Sequence, residues 1–226
     1  MYSETINQKL SEPLPTFLFS DSEKIYDDED RVLPDEIDAT ACIGGAIRNI
    51  LFSIGEDPDR QGLQRTPERV ARMYGELTTG YQIDPIKLVN GAVFDVDYRE
   101  MVLVKDIEFF SLCEHHMLPF FGRVHVAYLP EGKVIGLSKI PRIVEMFARR
   151  LQVQERMTSD IAQMLTEILH PRGVAVLIEG AHMCAMMRGV RKSQVNMTTS
   201  SMMGEFGSNS GLKSEFLAHI SRNFQE

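Results

Sequence analysis

The order of predicted secondary structure after residue 100 constrains the fold of this chain more than any other feature. Two apolar segments typical of β-strands are followed by two segments with apolar residues at helical spacing, and then by two more strand-like segments. In chain order the six segments are 101–112, 122–129, 138–151, 155–169, 173–184 and 192–203. This β-β-α-α-β-β order, with strands in hairpin-like pairs, predicts an α+β fold around an antiparallel sheet.

Further helices are expected on both sides of this core. Apolar residues at helical spacing begin at Ile43. A second helix is expected to begin at Pro67 with Thr66 as its cap, and a last helix is expected to have Ser210 as its cap. Cys42 lies in the first of these helices, and we expect it to be buried as a small hydrophobic side chain.

The acidic charge of the chain is concentrated near its N-terminus. The formal net charge is −8, from 24 lysines and arginines against 32 aspartates and glutamates, and residues 21–38 alone carry nine acids and two bases. We interpret residues 1–33 as a flexible extension whose acids are solvated, with a partner-binding role as the alternative. We expect an N-terminal helical region at 34–90 and the α+β domain at 91–226.

Composition also limits the partners and the compartment. A net negative charge argues against a broad basic face for nucleic acid, although the nearly neutral remainder leaves room for a local basic pocket. No segment of about 18 apolar residues is present, so no membrane span is expected. An odd number of cysteines, three, and no secretory apolar segment at the N-terminus favour a reducing compartment, and we expect a cytoplasmic protein.

Three residues form the strongest candidate metal site. Cys113 and His116 are separated by two residues, a spacing at which one tight turn can bring both side chains to one ion. A third ligand must come from elsewhere, and Cys184 stands at the end of a predicted strand. A Cys2His set with an open fourth position occurs in catalytic zinc sites. A Cys113–Cys184 disulfide and a pair of unrelated core thiols are the alternatives.

Two histidines are expected beside this site without binding the metal. His182 and Cys184 are two residues apart on the predicted strand, so their side chains are expected on the same face. His115 is adjacent to His116, and adjacent residues rarely bind one ion comfortably. Titratable groups beside an activated water are what hydrolysis requires. The alternative is that His182 completes a closed Cys2His2 site.

A set of cationic residues predicts an anion-binding site. Ser138, Lys139 and Arg142 stand at the start of the first predicted core helix, where cations oppose the helix dipole. An anion bound to the free N–H groups of that helix would explain their position. Arg188 and Arg72 could add positive charge. The alternative is that these cations point to water.

A glutamine and a glutamate open the second core helix. A carboxylate in the first helical turn, such as that of Glu155, is usually a partner of the helix dipole. A carboxylate can also accept two parallel hydrogen bonds from the N1–H and the 2-amino group of guanine, a pair that adenine cannot supply. The sequence alone favours the first interpretation.

These motifs together resemble GTP cyclohydrolase I of the zinc-dependent type. The resemblance covers residues 62–222 and leaves out the acidic extension. The CEHH, GLSKI and QVQE motifs in this order are jointly highly specific. The segments that carry it are GLQRTPERVARMY (62–74), CEHHMLPFFG (113–122), VIGLSKIPRIVEMFARRLQVQERMT (134–158) and HMCAMMRGVR (182–191).

The resemblance implies a role for each candidate residue. Four groups are matched: zinc ligands, catalytic histidines, a guanine-reading pair and contacts to the triphosphate. The zinc ligands are Cys113, His116 and Cys184, and the catalytic histidines are His115 and His182. The guanine-reading pair is Gln154 and Glu155. The triphosphate contacts are Ser138, Lys139, Arg142 and Arg188, together with Arg72, which reaches a neighbouring subunit's substrate.

The resemblance also implies a fold, an assembly and a reaction. The fold is the tunnelling fold, assembled as a homodecamer of two pentameric rings with sites between subunits. The reaction converts GTP and water to 7,8-dihydroneopterin triphosphate and formate, the first step of pterin biosynthesis. For this reaction we expect His182, which is close to the ligand Cys184, to protonate N7 of the purine so that C8 becomes electrophilic. We expect His115 to assist ring opening and formate release.

Two other classes of protein are weighed against this one. The first is another tunnelling-fold enzyme, such as the nitrile reductase of queuosine synthesis, which uses a cysteine nucleophile and a nicotinamide cofactor. The complete Cys2His set and the QVQE motif argue against it. The second is a non-catalytic zinc-binding or nucleotide-binding protein, and the two additional histidines argue against that.

Overall fold

A five-stranded sheet organises the part of the chain that the structure, a computed structural model, describes: residues 39–89 and 91–221. The strands in chain order are β1 (Val93–Asp95), β2 (Val102–Cys113), β3 (Pro119–Leu129), β4 (Lys133–Ile135), β5 (Leu151–Gln152), β6 (Gly173–His182) and β7 (Asn196–Gly204). The main sheet has the order β5-β2-β3-β6-β7, and β1 and β4 form a separate pair. The predicted extension 1–33 lies outside the described residues.

The helices lie before, within and after this sheet in the sequence. In chain order they are α1 (Ala39–Ser53), α2 (Thr66–Leu77), α3 (Pro85–Val89), α4 (Lys139–Ala148), α5 (Gln154–Leu169), α6 (Met183–Met186), α7 (Glu205–Ser208) and α8 (Ser210–Ser221), with one 3-10 turn at Thr79–Gln82. None of these described helices has the length and apolar character needed to cross a membrane.

The pairing of the strands confirms the predicted class and order. The pairs β2–β3, β3–β6 and β6–β7 are antiparallel, and the two-residue strand β5 pairs with β2 in parallel. Helices α4 and α5 connect the first pair of long strands to the second, which gives the predicted β-β-α-α-β-β core. This is the element order that the sequence predicted.

The main core lies between one face of the sheet and helices α4 and α5. Alternate side chains of β3, such as Val124 and Val126, point to this face because strand side chains alternate between faces. Ile143 of α4 and Leu165 of α5 belong to the same buried cluster. Each of these four side chains is inaccessible to solvent. The apolar positions that the strand and helix periodicities predicted therefore pack together in one layer.

The opposite face of the sheet is covered in part by the C-terminal helices. Ala127 of β3 and Leu177 of β6 pack with Phe206 of α7 and Phe216 of α8. The two phenylalanine rings meet edge to face at 6.0 Å between centroids. A second, smaller apolar cluster therefore anchors the end of the described chain.

A histidine is buried on this second face. His125 of β3 is 2% exposed, and its Nδ1 accepts the Asp106 N–H at 3.2 Å. Asp106 has a φ of 60° and lies where the β2–β3 register shifts between Val104 and Ile107. The Nε2 atom of His125 is 3.6 Å from the Glu179 carboxylate, beyond ordinary hydrogen-bond distance. The irregular backbone of β2 thus receives its hydrogen-bond partner from a side chain of β3.

Two predicted elements of the core end earlier than expected. The helix expected over 138–151 ends at Ala148, and Leu151 instead pairs with Leu112 in a short parallel strand. The strand expected over 173–184 ends at His182, because the next partner on β3 would be Pro119, which has no N–H to donate. The chain turns into α6 at that point.

Three predictions outside the core are also corrected. The cap of the last helix is Asn209 and not Ser210, because the Asn209 Oδ1 accepts two backbone N–H groups in the first turn of α8. Thr66 is already the first residue of α2, with Pro67 in the first turn as predicted. Cys42 is exposed and not buried, since none of the described side chains of α1 is buried.

Candidate metal centre and active site

The sheet topology brings the three predicted metal ligands together. Cys113 ends β2, and the chain then turns back through 114–118 into β3. The start of β3 pairs with the end of β6, which places the first turn of α6, and with it Cys184, at the same edge of the sheet. The ligand atoms of Cys113, His116 and Cys184 all lie within 4.8 Å of one another.

The chemistry of this donor set fits a metal ion that prefers sulfur and nitrogen. Two thiols and one imidazole suit zinc and related divalent metals, whereas calcium and magnesium require oxygen ligands. Burial, and then the neighbouring Cys113 thiol, raise the pKa of Cys184. A cation held between the two sulfur atoms would favour both thiolates. Cys113 and Cys184 are free thiols in the structure, so the disulfide alternative is not observed.

Hydrogen bonds to the start of α5 hold the metal-binding turn. The Glu114 N–H donates to the Gln152 carbonyl at 3.0 Å, and the Arg156 guanidinium binds the Glu114 carboxylate. Arg156 also donates to the side chain of Gln152 at 3.1 Å. No sequence signal pointed to Arg156, because a basic residue in a helical turn is usually exposed. In the structure its side chain joins the metal-binding turn to Gln152.

The structure places His182 between an aromatic ring and an amide. Its ring stacks on Phe120, with centroids 4.7 Å apart and planes within 5° of parallel. Its Nε2 is 3.0 Å from the Oε1 of Gln154. Burial lowers the pKa of His182, and the charge of Glu155 opposes that effect. Since Cys184 lies on α6, the expected same-strand relation of the two residues is wrong, yet both lie at the same edge of the sheet.

The Gln154 side chain is inside the protein. It is completely buried, and its Nε2 lies within hydrogen-bond distance of the Ile178 carbonyl, the Met197 carbonyl and the Thr199 hydroxyl, at 2.9–3.1 Å. Its neighbour Glu155 is exposed in the first turn of α5. Among the described residues, none forms a hydrogen bond or ion pair with the Glu155 carboxylate. The predicted guanine-reading pair therefore divides into one inward and one outward side chain.

His115 lies at the outer side of the metal cluster. Its side chain is 64% exposed, and its Nδ1 is 3.8 Å from the sulfur of Cys113. Its ring meets that of His116 at a steep angle, with centroids 6.2 Å apart. The ring is therefore next to the cluster and open to solvent.

The predicted anion-binding residues are exposed or engaged elsewhere. Ser138 precedes α4 without a side-chain cap, and Arg142 is exposed on its first turn. The Lys139 Nζ donates to the Leu88 carbonyl at 2.8 Å. Arg188 is exposed beyond α6, and its charge opposes the raised pKa of the Cys184 thiol.

Arg72 lies on α2 and is 3.5 Å from the Glu68 carboxylate. Within the described ranges, no hydrogen bond or ion pair connects Arg72, Ser138, Lys139 or Arg142 to the metal cluster. The structure therefore joins the predicted metal ligands and His182 in one place, whereas most of the predicted anion site is not bonded to them among the described residues.

Fold and site together define a class: an α+β protein with a two-thiol, one-imidazole metal site at the ends of its sheet strands and histidines beside it. The family model described as GTP cyclohydrolase I matches residues 43–221. The chain belongs to the GTP cyclohydrolase I family, as the resemblance predicted.

Curated relatives agree with this membership. GTP cyclohydrolase 1 of Chlorobaculum tepidum is 58% identical over 175 residues, which cover 77% of this chain and 78% of the relative. The enzyme of Gloeobacter violaceus is 58% identical over 172 residues, covering 76% and 80%. The one from Neurospora crassa is 52% identical over 179 residues, covering 79% of this chain and 57% of the relative.

One solved structure is more distantly similar. It is an archaeosine synthase of the QueF-like type in the apo form, 18% identical over 46% of this chain and 93% of that chain, with a TM-score of 0.39. This likeness is too low to bear on the function.

Proposed function

We propose that this protein converts GTP and water to 7,8-dihydroneopterin triphosphate and formate, with one zinc ion per chain. The observation that carries the proposal is the placement of His182 and His115 beside the Cys113, His116 and Cys184 cluster, in a chain of this family. The product would enter pterin biosynthesis in the cytoplasm.

The three ligands leave one position of a tetrahedral ion open, as in catalytic zinc sites. When bound, zinc supplies a water activated at neutral pH. The protein holds the ligands rigidly for this purpose, since Cys113 ends a long strand and Arg156 binds the turn that carries His116. His182 is hydrogen-bonded to Gln154 and is therefore assigned to proton transfer and not to the metal.

The Glu155 carboxylate is the proposed reader of the base. It is exposed beside His182, so a purine held against it would also lie next to that ring. Its two oxygens can accept the N1–H and 2-amino hydrogens of guanine. Adenine would leave this carboxylate without its donors, a loss on the order of 1–3 kcal/mol.

His182 is the proposed acid for N7 of the purine. Protonation of N7 makes C8 electrophilic, so that water adds at C8 and the imidazole ring of the base opens. The stacked Phe120 ring and the Gln154 amide keep the His182 ring in one plane during this step. His115 is exposed next to the cluster and is assigned to the proton transfers that expel formate.

The triphosphate is proposed to bind to Ser138, Lys139, Arg142 and Arg188, in a site completed by Arg72 of a neighbouring subunit. Among the described residues, Arg72, Ser138, Lys139 and Arg142 have no hydrogen bond or ion pair to the metal cluster, which supports a site assembled from more than one chain. We propose the homodecamer of two pentameric rings that the resemblance implies.

Exposed apolar side chains at the N-terminal helices agree with such an assembly. Phe52 on α1 is 76% exposed, and Ile54 just beyond it is 68% exposed. Apolar groups of this size at the surface of a helix with no buried side chain are typical of a face that another chain covers.

Incubation of the zinc-loaded protein with GTP tests the proposal. Formate and dihydroneopterin triphosphate should appear in equal amounts, and metal analysis should find one zinc per chain. Zinc and GTP binding without formate would favour the non-catalytic alternative. Oxidation of a nicotinamide cofactor by a nitrile substrate, with no formate from GTP, would favour the nitrile reductase.

A further inference from the structure

We infer that Gln154 is a positioning residue for His182 and that its side chain does not read the base. Its amide fixes which nitrogen of the His182 ring carries the hydrogen and which remains available to the substrate. This inference rests on the proposed function and adds to it a role that the resemblance does not assign.

The surroundings of the Gln154 amide determine its orientation. One end of the amide faces the carbonyl oxygens of Ile178 and Met197, at 3.1 and 2.9 Å. Carbonyl oxygens only accept hydrogen bonds, so this end must be the NH2 group. The other end, which faces His182, is therefore the oxygen. The assignment of nitrogen and oxygen follows from the backbone partners and needs no assumption about the histidine.

The orientation of the amide in turn determines the tautomer of His182. An amide oxygen only accepts, so the ring nitrogen 3.0 Å from it, Nε2, must carry a hydrogen. In the neutral ring Nδ1 is then the nitrogen with the free lone pair, so Nδ1 is the atom that takes up the proton which His182 passes to the substrate as an acid. Stacking on Phe120 fixes the plane of the ring. The hydrogen bond to Gln154 thus determines which ring nitrogen of His182 faces the substrate, and the stacking on Phe120 determines its direction.

A glycine on β6 makes this arrangement possible. A Cβ at Gly180 would stand 2.3 Å from the Oε1 of Gln154, closer than any side chain allows. Glycine within a strand weakens it, and often marks the close approach of another group. Here that group is the amide oxygen that faces His182. Gly180, two residues before His182, therefore leaves the space that the Gln154 amide needs to reach this histidine.

The same geometry separates the roles of the two adjacent residues at the start of α5. All of the Gln154 amide is engaged by partners within the chain, whereas Glu155 is exposed. The two parallel hydrogen bonds to guanine need one carboxylate and no amide. Base reading is therefore assigned to Glu155 alone.

Steady-state kinetics of two variants test the inference. Gln154→Met keeps the length of the side chain and removes both hydrogen-bonding groups, and Gly180→Ala displaces the amide without changing it. Zinc content and the KM for GTP should stay within about twofold of the wild type, while kcat falls roughly 10–100-fold, as for other partners that orient a histidine. A KM for GTP raised at least as much as kcat falls in Gln154→Met would make Gln154 a base reader and overturn the inference.

A matched control lies on the same helix. Thr166 donates to the Ala162 carbonyl and contacts the sulfur of Met203 on β7, about three turns from Gln154. Thr166→Val removes a polar contact between α5 and β7 that does not involve His182. Its kcat and KM should match those of the wild type. A fall in kcat equal to that of Gln154→Met would mean that any disturbance of this helix has the same effect, and would overturn the assigned role.

Nitrogen NMR gives a readout that does not depend on turnover. Solid-state spectra of zinc-loaded protein labelled with 15N-histidine, with His182 assigned by its loss in His182→Gln, should show the Nε2–H tautomer at neutral pH. Gln154→Met should show a mixture of tautomers. An Nδ1–H tautomer in the wild type would overturn the inference. If the wild type gave no formate from GTP, the proposed function would fail while this spectrum still decided the role of Gln154.

Discussion

The two parts of the proposed active site are built in different ways. The catalytic part, which consists of the metal cluster of Cys113, His116 and Cys184 together with His182, is assembled within one chain from the ends of adjacent strands. The anion part, which consists of Ser138, Lys139, Arg142, Arg188 and Arg72, is mostly exposed, and its described members on α2 and α4 form no hydrogen bond or ion pair with the cluster.

The difference follows from what each part must do. Ligand atoms and a proton donor must be held to within a fraction of an ångström, and buried hydrogen bonds in a sheet provide that rigidity. Cations that attract a triphosphate act over about 8 Å at physiological salt and can be brought together from separate elements or separate chains. Variants in the catalytic part should therefore have larger effects than variants in the anion part, and the next four experiments test this ranking.

Loss of a metal ligand should have the largest effect. Cys184→Ser removes one of the two sulfur ligands, so zinc content and GTP turnover should both fall to background while the circular dichroism of the fold is largely kept. Cys42→Ser is the matched control, because Cys42 is an exposed free thiol on α1 and should keep full zinc and activity. Full zinc content and normal turnover in Cys184→Ser would remove this residue from the site.

Loss of the proposed acid should have the next largest effect. His182→Ala should retain zinc and GTP binding, and formate release should fall by roughly 10²–10⁴, the usual contribution of general acid catalysis. The measurements are zinc per chain, GTP affinity and formate yield, and His115→Ala should likewise retain zinc. Loss of zinc from His182→Ala would indicate a closed Cys2His2 site and would move His182 from proton transfer to metal binding.

A smaller effect is expected where the base is read. Glu155→Gln replaces one acceptor by an N–H donor that would face a donor of guanine, at a cost on the order of 1–3 kcal/mol in GTP affinity, or about 5–150-fold. Zinc content should not change. Glu167→Gln, in the last turns of the same helix, is the control for the loss of one carboxylate. Unchanged GTP binding in Glu155→Gln would leave Glu155 as a partner of the helix dipole.

The smallest effect is expected in the anion part. Arg142→Ala removes one exposed cation, so GTP affinity should fall roughly fivefold at physiological salt, while guanosine binding stays the same. Raised salt should reproduce part of this loss in the wild type. Equal losses for GTP and guanosine would indicate a folding defect, and a loss larger than that of His182→Ala would reverse the ranking of the two parts.

The contrast between the two parts also explains what could be predicted from the sequence. The strand pairs, the core helices and the Cys-x2-His turn depend on residues close in sequence, so periodicity and spacing were enough to find them. Cys184 was found as a thiol at the end of a predicted strand, and the family motifs then matched it to a zinc ligand. The end of β6 at His182 was missed because it depends on Pro119 of another strand.

The role of Gln154 was missed for the same reason. Its partners Ile178, Met197 and Thr199 are 24, 43 and 45 residues away, and no local pattern specifies them. One signal was available, since a glycine such as Gly180 inside an apolar strand indicates the close approach of another group. Which group approaches could only be learned from the packing of α5 on the sheet.

The buried imidazole of His125 has a consequence for the acid stability of the fold. Burial lowers its pKa, and although the carboxylates of Asp106 and Glu179 oppose this shift, the charge of Lys105 adds to it. Arg123, the other cation on this side, is paired with Asp106 at 3.2 Å. The folded chain therefore holds His125 neutral at a pH where the unfolded chain, with an ordinary histidine pKa near 6.5, has already taken up a proton.

Uptake of that proton by the unfolded state alone links stability to pH. The stability contributed by the neutral ring is complete above about pH 6.5 and declines as the pH falls from there to the lowered pKa of the folded state, by at most about 1.4 kcal/mol per pH unit. His125→Asn keeps an acceptor near the position of Nδ1 but cannot titrate, so its free energy of unfolding in urea should depend less steeply on pH between 7 and 5. An unchanged slope would assign the acid sensitivity to other groups. The His125 imidazole, which accepts a hydrogen bond from the backbone of β2, thereby makes this fold less stable in mild acid.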